Sequence, residues 1–218
     1  IDAQYDGRMV LPTHAAVSAY AARADEYVDA VGRMEHVSKL DLDFVQTWAS
    51  SIDGRIIDVG SGPGQWTNYL RECGANIDGV DPVREFVDRA KVDYPETQYR
   101  LGEAEHLEAE DGALGGVLAW YSLIHTPPSE ISLPLSEFAR AIRPGGSLLL
   151  GFFTADHQAA FNHAIAPAYY WPVEMLVSRV EEAGFRVTHT ETRLDRPART
   201  HGALTAIRTS DDTVVRSG

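Results

Sequence analysis

Residues 56–64 read IIDVGSGPG, and this stretch decides how the rest of the chain is interpreted. The short apolar run over residues 55–59 predicts a strand that is buried on both faces of a sheet. Three alternating glycines follow over residues 60–64, and residues 65–73 predict a helix. Glycine allows backbone conformations that are closed to other residues, and it lets a ligand approach the main chain. A strand, a glycine-rich turn and a helix N-terminus predict a ligand-binding loop, although a purely structural turn has the same pattern.

The alternation of strand and helix continues outward from this loop. Apolar or alternating runs predict seven strands, at residues 55–59, 75–80, 97–101, 116–120, 147–153, 185–193 and 203–208. Helical periodicity fills most of the intervals, so that the first five strands form parallel units with helices on both faces. The last two strands are joined by a turn and predict a hairpin. We therefore expect an α/β fold with a doubly wound, mostly parallel seven-stranded sheet and an antiparallel C-terminal strand.

The N-terminal quarter of the chain has a different pattern. Residues 1–53 predict a helical cap, with helices at 15–31 and 38–51, and residues 55–208 predict the sheet core. A chain of 218 residues is long enough for one well-buried α/β core. We expect a single domain in which the cap covers one edge of the sheet.

An acidic side chain ends the second predicted strand. Asp81 lies about twenty residues beyond the first glycine, and a carboxylate at this spacing accepts hydrogen bonds from ribose hydroxyls. It can engage both hydroxyls of a diol because it has two acceptor oxygens. A second interpretation is structural, since Asp81 precedes Pro82 and could cap the following helix.

Composition excludes several classes of function. The formal net charge is −13 and the basic residues are scattered, so we expect no nucleic-acid partner. The chain has one cysteine and no Cys/His cluster, so we expect no metal. No run approaches the roughly 20 apolar residues that span a bilayer, and the N-terminus has no secretory pattern. We expect a cytoplasmic protein that does not contact the membrane.

Two classes of cofactor are bound by loops of this kind. Nicotinamide dinucleotides favour G-x-G-x-x-G, but Gln65 stands where the third glycine belongs. The loop is G-x-G-x-G, and Asp58 precedes its first glycine by two residues. This pattern resembles the class I S-adenosylmethionine-dependent methyltransferases, in their small-molecule branch. The resemblance covers roughly residues 56–185, and it includes GVDP at 79–82, GEAEHL at 102–107 and RPGG at 143–146.

The resemblance implies roles for the matching residues. The methionine half of S-adenosylmethionine would be held by the loop, with Asp58 near its amino group, and the ribose by Asp81, with Pro82 against the adenine. Aromatic residues after the fourth strand would face the sulfonium, since ring faces attract cations. The cofactor residues implied in this way are Asp58, Gly60, Ser61, Gly62, Gly64, Asp81, Pro82, Glu103, Ala104, Trp120, Tyr121 and Ser122, with Tyr20 and Tyr27 of the cap closing the site.

A histidine-rich region is the candidate for acid–base chemistry. The connection at residues 154–172 is far longer than usual, and it predicts a lid or acceptor-binding segment. It contains His157 and His163, and His125 follows the fourth strand. A neutral histidine could take a proton from an acceptor, and His125 is the first choice because it adjoins the expected sulfonium position. Packing or surface positions are the alternative for all three.

The resemblance implies methyl transfer from S-adenosylmethionine to a small-molecule acceptor, with release of S-adenosylhomocysteine. Two alternatives stay open at this stage. One is a nucleotide-dependent oxidoreductase, and the other is a protein that binds the cofactor without catalysis. The sequence identifies neither the acceptor nor the oligomeric state.

Overall fold

The structure is a computed structural model that describes residues 12–195 and 199–210. Residues 1–11 of the predicted cap lie outside the described part. One sheet contains every strand of the described residues. The strands are β1 (Ile56–Val59), β2 (Ile77–Asp81), β3 (Tyr99–Leu101), β4 (Leu114–Trp120), β5 (Ile142–Thr154), β6 (Ala159–Asn162), β7 (Pro167–Tyr170), β8 (Phe185–Asp195) and β9 (Arg199–Arg208).

The sheet order confirms the predicted α/β fold. Strands β3, β2, β1, β4 and β5 lie side by side and are parallel. Strand β9 runs antiparallel to β5 and pairs with β8, as the predicted C-terminal hairpin requires. The order reverses between β1 and β4, and in open α/β sheets ligands bind beyond the carboxyl ends of the strands at such a point.

Helices pack on both faces of this sheet. They are α1 (Pro12–Ala22), α2 (Ala24–Val31), α3 (Lys39–Ser50), α4 (Gln65–Glu72), α5 (Arg84–Asp93), α6 (Ser132–Ala141) and α7 (Val173–Glu182). Side chains of α3 and α4 pack with Ile56, Leu118 and Leu149. Side chains of α6 and α7 pack on the other face of the sheet, against Ile57 and the residues next to Leu118 in β4 and Leu149 in β5. Successive residues of β1 thus face opposite layers, which is why the run is apolar throughout.

The cap differs from the prediction in one respect. A single helix over 15–31 was expected, but Arg23 separates α1 from α2, with φ −128° and ψ 24°. The break has a tertiary contact, because Arg23 Nη1 donates to the carbonyl of Ala164, 2.6 Å away. The predicted helix at 38–51 is present as α3, and the Ser38 hydroxyl accepts a hydrogen bond from the Asp41 N–H at its start.

The long connection after β5 contains structure that the sequence did not predict. Strands β6 and β7 form an antiparallel hairpin within residues 154–172, in addition to the seven expected strands. The hairpin joins the sheet through the register pair of Phe153 with Tyr170. Phe161 stacks on Tyr170 with 4.2 Å between ring centroids, so aromatic packing holds the two strands together. Among the described helices, none is long and apolar enough to cross a membrane.

Candidate functional site

The glycines of the loop between β1 and α4 serve two different purposes. Gly60, Gly62 and Gly64 all have positive φ, at 72°, 56° and 88°. A Cβ on Gly60 would lie 2.2 Å from Cβ of Ser122, and one on Gly64 would lie 2.7 Å from the Tyr99 ring. A Cβ on Gly62 would meet nothing within 4 Å. Two glycines therefore allow close packing, and the third leaves the main chain open to the space above the sheet.

The N–H groups of this loop are all used within the protein. Those of Gly60 and Ser61 donate to the carbonyl of Val80, and that of Gly64 donates to the carbonyl of Ser61. The N–H of Gly62 donates to Oδ2 of Asp81 at 2.8 Å, and residue 63 is a proline. No N–H of residues 60–64 is left for a phosphate group, so the loop is not a pyrophosphate cradle.

Asp81 has a structural role at the start of α5, and its binding of the ribose stays a prediction. Oδ1 accepts from the N–H of Val83 at 2.8 Å, where α5 begins, and Oδ2 accepts from Gly62. The side chain is buried and also lines a cavity, where each oxygen keeps a lone pair for a ligand. Burial raises the pKa of Asp81 to about 6, against the lowering effect of the two N–H donors.

Asp58 and Ser61 lie behind the loop rather than on a cavity wall. Thr67 of α4 donates its hydroxyl to Oδ2 of Asp58 at 2.7 Å, and the carboxyl group is buried. Burial raises the pKa of Asp58 to about 7, while the Thr67 hydrogen bond acts in the opposite direction. Together with Gly64, these residues shape the loop from beneath in the described structure.

A first cavity opens beyond β2 and β3, with about 960 Å³ of space that is open to solvent. We call it the Glu103 cavity. Three of its lining side chains are carboxylates, and none of its described lining residues is Lys or Arg. The described lining residues are Val17, Val59, Gly60, Pro82, Gly102, Glu103, Ala104, Glu105, Ser122, Leu123, Thr126, Glu130 and Leu133. The predicted residues Pro82, Glu103 and Ala104 therefore meet here.

A second cavity of about 1060 Å³ adjoins the first and shares Gly60, Pro82 and Ser122 with it. We call it the aromatic chamber because eight rings line it. They are Tyr20, Tyr27, Phe86, Trp120, Tyr121, Phe153, His125 and His163. Burial raises the pKa of Tyr27 to about 12 and that of Tyr20 further, so both phenols stay neutral. Tyr20 and Tyr27 both line the chamber, and their closure of the cofactor site stays a prediction.

The three predicted histidines separate in the structure. His125 and His163 line the chamber with 5.2 Å between ring centroids, and burial lowers the pKa of both, to about 4 for His163. His157 is exposed and outside both cavities. The sequence predicts the same role for His157 and His163, but the structure places only His163 in the chamber wall and leaves His157 at the surface.

The segment after β4 forms the wall between the cavities. Tyr121 has φ 59°, and it is the one non-glycine residue with positive φ in the described chain. Such a conformation costs a bulky residue free energy and persists where the surroundings enforce it. The Tyr121 hydroxyl bonds to Nδ1 of His201 at 2.7 Å, which fixes the ring. Ser122 Oγ is buried and has no hydrogen-bond partner within the described residues, so it can receive a polar ligand atom.

Sequence reasoning missed two of the aromatic residues that line the chamber. Phe86 was interpreted as ordinary core, yet it contacts Tyr20 and Tyr27 with ring centroids 5.8 and 5.2 Å away. Phe153 was read only as the end of a strand, and it lines the chamber beside Tyr121. The sequence signal that could have identified Phe86 and Phe153 is weak. Each lies near the carboxyl end of a strand, close in sequence to a candidate site residue. No group of His, Cys, Asp and Glu side chains in residues 12–195 and 199–210 could hold a metal ion.

Comparison with known proteins gives a consistent result. The model of the methyltransferase domain family matches residues 56–146. An uncharacterised methyltransferase of Mycobacterium tuberculosis is 34% identical over 104 residues, which cover 48% of this chain and 42% of that protein. A ubiquinone biosynthesis O-methyltransferase of Xanthomonas oryzae is 31% identical over 160 residues, which cover 69% of this chain and 65% of that protein. The matches thus span less than two thirds of either relative.

Solved structures share the fold. The 1,6-didemethyltoxoflavin N1-methyltransferase of Burkholderia thailandensis, solved with 1,6-didemethyltoxoflavin and S-adenosylhomocysteine, has a TM-score of 0.73 at 19% identity, over 96% of this chain and 98% of that chain. The magnesium protoporphyrin IX methyltransferase of Synechocystis, solved with S-adenosylmethionine, has a TM-score of 0.65 at 19% identity, over 87% and 97%. Residues 56–146 therefore match the methyltransferase domain family, and the described residues share the fold of solved S-adenosylmethionine-dependent methyltransferases.

Proposed function

We propose that this chain transfers a methyl group from S-adenosylmethionine to a small-molecule acceptor and releases S-adenosylhomocysteine. The observation that carries the proposal is the pair of adjoining cavities, which meet at Gly60, Pro82 and Ser122. The Glu103 cavity suits the adenine of the cofactor, and the aromatic chamber, which Asp81 and Gly62 line, suits the ribose, the sulfonium and an acceptor. A transfer reaction needs such a junction, because the two reacting atoms must be held in line within one enclosed space.

The residues of the site fit this cofactor. Asp81 would accept hydrogen bonds from the ribose diol, and Glu103 and Ala104 would flank the adenine. The open main chain at Gly62 and the unpartnered Ser122 Oγ are available to the methionine half. When bound, the cofactor supplies an electrophilic methyl group on a positively charged sulfur.

The chain's own groups would position the reactants and exclude water. The rings of Trp120 and Tyr121 offer faces that attract a cation, at the end of β4. Asp58 and Ser61 would act indirectly, because they hold the loop from beneath. Enclosure by the cap and the β6–β7 hairpin would remove water from the attacking atom, which strengthens electrostatic interactions there.

The alternatives fit the site less well. A dinucleotide needs N–H groups for its pyrophosphate, and the loop over 60–64 uses its own internally. The relatives also give no support to an oxidoreductase. A protein that binds the cofactor without catalysis would still release no S-adenosylhomocysteine, so turnover decides that question. A nucleic-acid acceptor is disfavoured by the net charge of −13 and by the carboxylates of the Glu103 cavity.

The test has two stages. Calorimetry with S-adenosylhomocysteine measures cofactor binding, and we expect a dissociation constant in the micromolar range that weakens in Asp81→Asn. Release of S-adenosylhomocysteine is then measured across a panel of phenols, carboxylates, amines and thiols. Binding without turnover on any acceptor would favour the non-catalytic alternative, and absence of binding would refute the proposal.

A further inference from the structure

The lining of the aromatic chamber consists largely of aromatic rings that contact one another. The rings of Tyr20 and Tyr27 lie edge to face at 5.2 Å, and Tyr27 lies 5.2 Å from Phe86 at a tilt of 40°. Phe153 lies 6.5 Å from the ring of His163. Aromatic rings pack best against other rings in stacked or edge-to-face arrangements. The walls therefore suit a planar ring better than a flexible chain.

The protein side chains that line the chamber offer no counter-charge for an anion. Its one lining carboxylate is Asp81, whose oxygens accept from Gly62 and Val83, and its described lining includes no Lys or Arg. Burial lowers the pKa values of His125 and His163, so these rings are uncharged at neutral pH. A charge that is buried without a partner is strongly disfavoured. A carboxylate or phosphate acceptor would find no cationic side chain there, and a protonated amine would have no lone pair with which to attack.

A hydrogen-bonded chain gives the chamber its polar contact. His125 Nδ1 lies 2.8 Å from the carbonyl oxygen of Pro167, which can only accept, so Nδ1 carries the proton. In the neutral ring, Nε2 is then an acceptor, and the Tyr20 hydroxyl donates to it at 2.9 Å. Because the Tyr20 proton is committed to His125, the Tyr20 oxygen presents lone pairs to the chamber. A ligand that binds there must donate a hydrogen bond.

From this geometry, and resting on the methyl transfer proposed above, we infer that the acceptor is an uncharged planar aromatic compound with a hydroxyl group, and that this hydroxyl donates to Tyr20. As the acceptor oxygen bonds to the methyl carbon, the carbon–sulfur bond breaks and its electron pair stays on sulfur. The acceptor proton passes to the Tyr20 oxygen, and the Tyr20 proton passes to Nε2 of His125. The sulfur becomes neutral, and the positive charge ends on the His125 imidazolium, which later loses its proton to water.

This assignment changes the roles that the sequence predicts. Tyr20 is the catalytic residue that touches the acceptor, while His125 acts through Tyr20 as a positioning residue and proton acceptor. The groups that face His125 are the Tyr20 hydroxyl, the His163 ring and the Pro167 carbonyl. His163 completes the chamber wall, and its low pKa makes it a weak base.

Matched probes test the acceptor class on the full chain saturated with S-adenosylhomocysteine. The probes are 2-naphthol, 2-naphthoate, 2-naphthylmethylamine and 2-decalol, which differ in charge or planarity at similar size. We expect 2-naphthol to bind at least about tenfold more tightly than each of the others, and binding to weaken in Tyr20→Phe. Equal or tighter binding of any other probe would overturn the inference, as would failure of all four. If S-adenosylhomocysteine itself fails to bind, the proposed function fails as well, so the two failures are distinguishable.

Two variants test the hydrogen-bonded chain with S-adenosylmethionine and 2-naphthol. Tyr20→Phe and His125→Gln should each lower kcat by about a hundredfold, as expected for loss of general acid–base catalysis. Wild-type kcat should fall at acidic pH as His125 becomes protonated, and Tyr20→Phe should lose this limb. His157→Ala is the matched control, because His157 is exposed and outside the chamber. Unchanged affinity for S-adenosylhomocysteine verifies that each variant is folded. Turnover within threefold of wild type in Tyr20→Phe, or no turnover of 2-naphthol by wild type, would overturn the mechanism.

Discussion

Two parts of the site are built by different kinds of contact: the loop over 60–64 with Asp81, and the aromatic rings of the chamber. Around the loop over 60–64, short-range main-chain hydrogen bonds and one carboxylate fix the geometry, and Gly62 and Asp81 are 19 residues apart. In the aromatic chamber, side chains meet across long sequence separations, such as the 105 residues between Tyr20 and His125. The first arrangement is a property of one strand–loop–helix unit and its neighbour. The second exists only when the cap, β4 and the hairpin have assembled.

This difference predicts how each region responds to change. A substitution in the loop should affect folding and cofactor binding together, because the same hydrogen bonds serve both. A substitution in the chamber should affect the acceptor while the cofactor side stays intact. The predictions below test that division, from the largest expected effect to the smallest.

Gly60→Ala should have the largest effect. Its Cβ would lie 2.2 Å from that of Ser122, and the residue has φ 72°. Strain and overpacking should together lower the free energy of unfolding by about 2–5 kcal/mol, as measured by chemical denaturation. Gly62→Ala is the control, with similar φ but no neighbour within 4 Å, and it should lose only about 1–2 kcal/mol. Equal losses in both would show that the approach to Ser122 is unimportant.

Asp81→Asn should weaken binding of S-adenosylhomocysteine by about 1–3 kcal/mol, because an amide has one acceptor oxygen where the carboxylate has two. Since the pKa of Asp81 is raised to about 6, wild-type affinity should also fall as the pH drops below 6 and the carboxyl takes up a proton. Calorimetry at pH 5 and 7.5 checks both expectations. Asp78→Asn is the control on the same strand, where the side chain pairs with Arg55. An Asp81→Asn affinity equal to wild type would remove this carboxylate from the site.

Asp58→Asn should become more stable relative to wild type as the pH rises from about 4 to 7. The wild-type carboxyl has a pKa near 7 when folded and an ordinary value of 3.8, so the folded state binds more protons in this range and loses stability with rising pH. The difference should change by roughly 1 kcal/mol per pH unit. His163 acts in the opposite direction, but it is present in both proteins and cancels. Parallel curves of unfolding free energy against pH would contradict the raised pKa.

Arg23→Ala should have the smallest effect. The side chain is exposed and links the junction of α1 and α2 to the hairpin through the Ala164 carbonyl. Exposed polar contacts contribute about 1 kcal/mol or less, so thermal unfolding should barely shift. We expect a few-fold higher KM for the acceptor and an unchanged affinity for S-adenosylhomocysteine. Arg179→Ala removes another exposed ion pair on α7 and should change neither value. A loss of cofactor affinity in Arg23→Ala would contradict the division between the two regions.

The sequence predicted the sheet because its signals are local, and the cofactor residues, which stay a prediction, rest on signals that are equally local. A buried strand before Gly60 and an acid at position 81 are visible within 26 residues, and their spacing follows from the lengths of one helix and two strands. The break at Arg23 and the hairpin at 159–170 were not predicted. The contact of Arg23 with Ala164 joins residues 141 positions apart, which no local periodicity can indicate. The same reason explains why His157 and His163 could not be told apart.

The hairpin of β6 and β7 has a consequence for how this protein could diversify. It is one continuous segment between β5 and α7, and the register pair of Phe153 with Tyr170 attaches it to the sheet. It also supplies His163 and the Pro167 carbonyl to the chamber. An exchange of residues 159–170 for a hairpin from a homologous enzyme would therefore remodel the acceptor wall and leave the hydrogen bonds around Gly62 and Asp81 as they are. Selectivity for the acceptor could then be exchanged between homologous enzymes through this one segment.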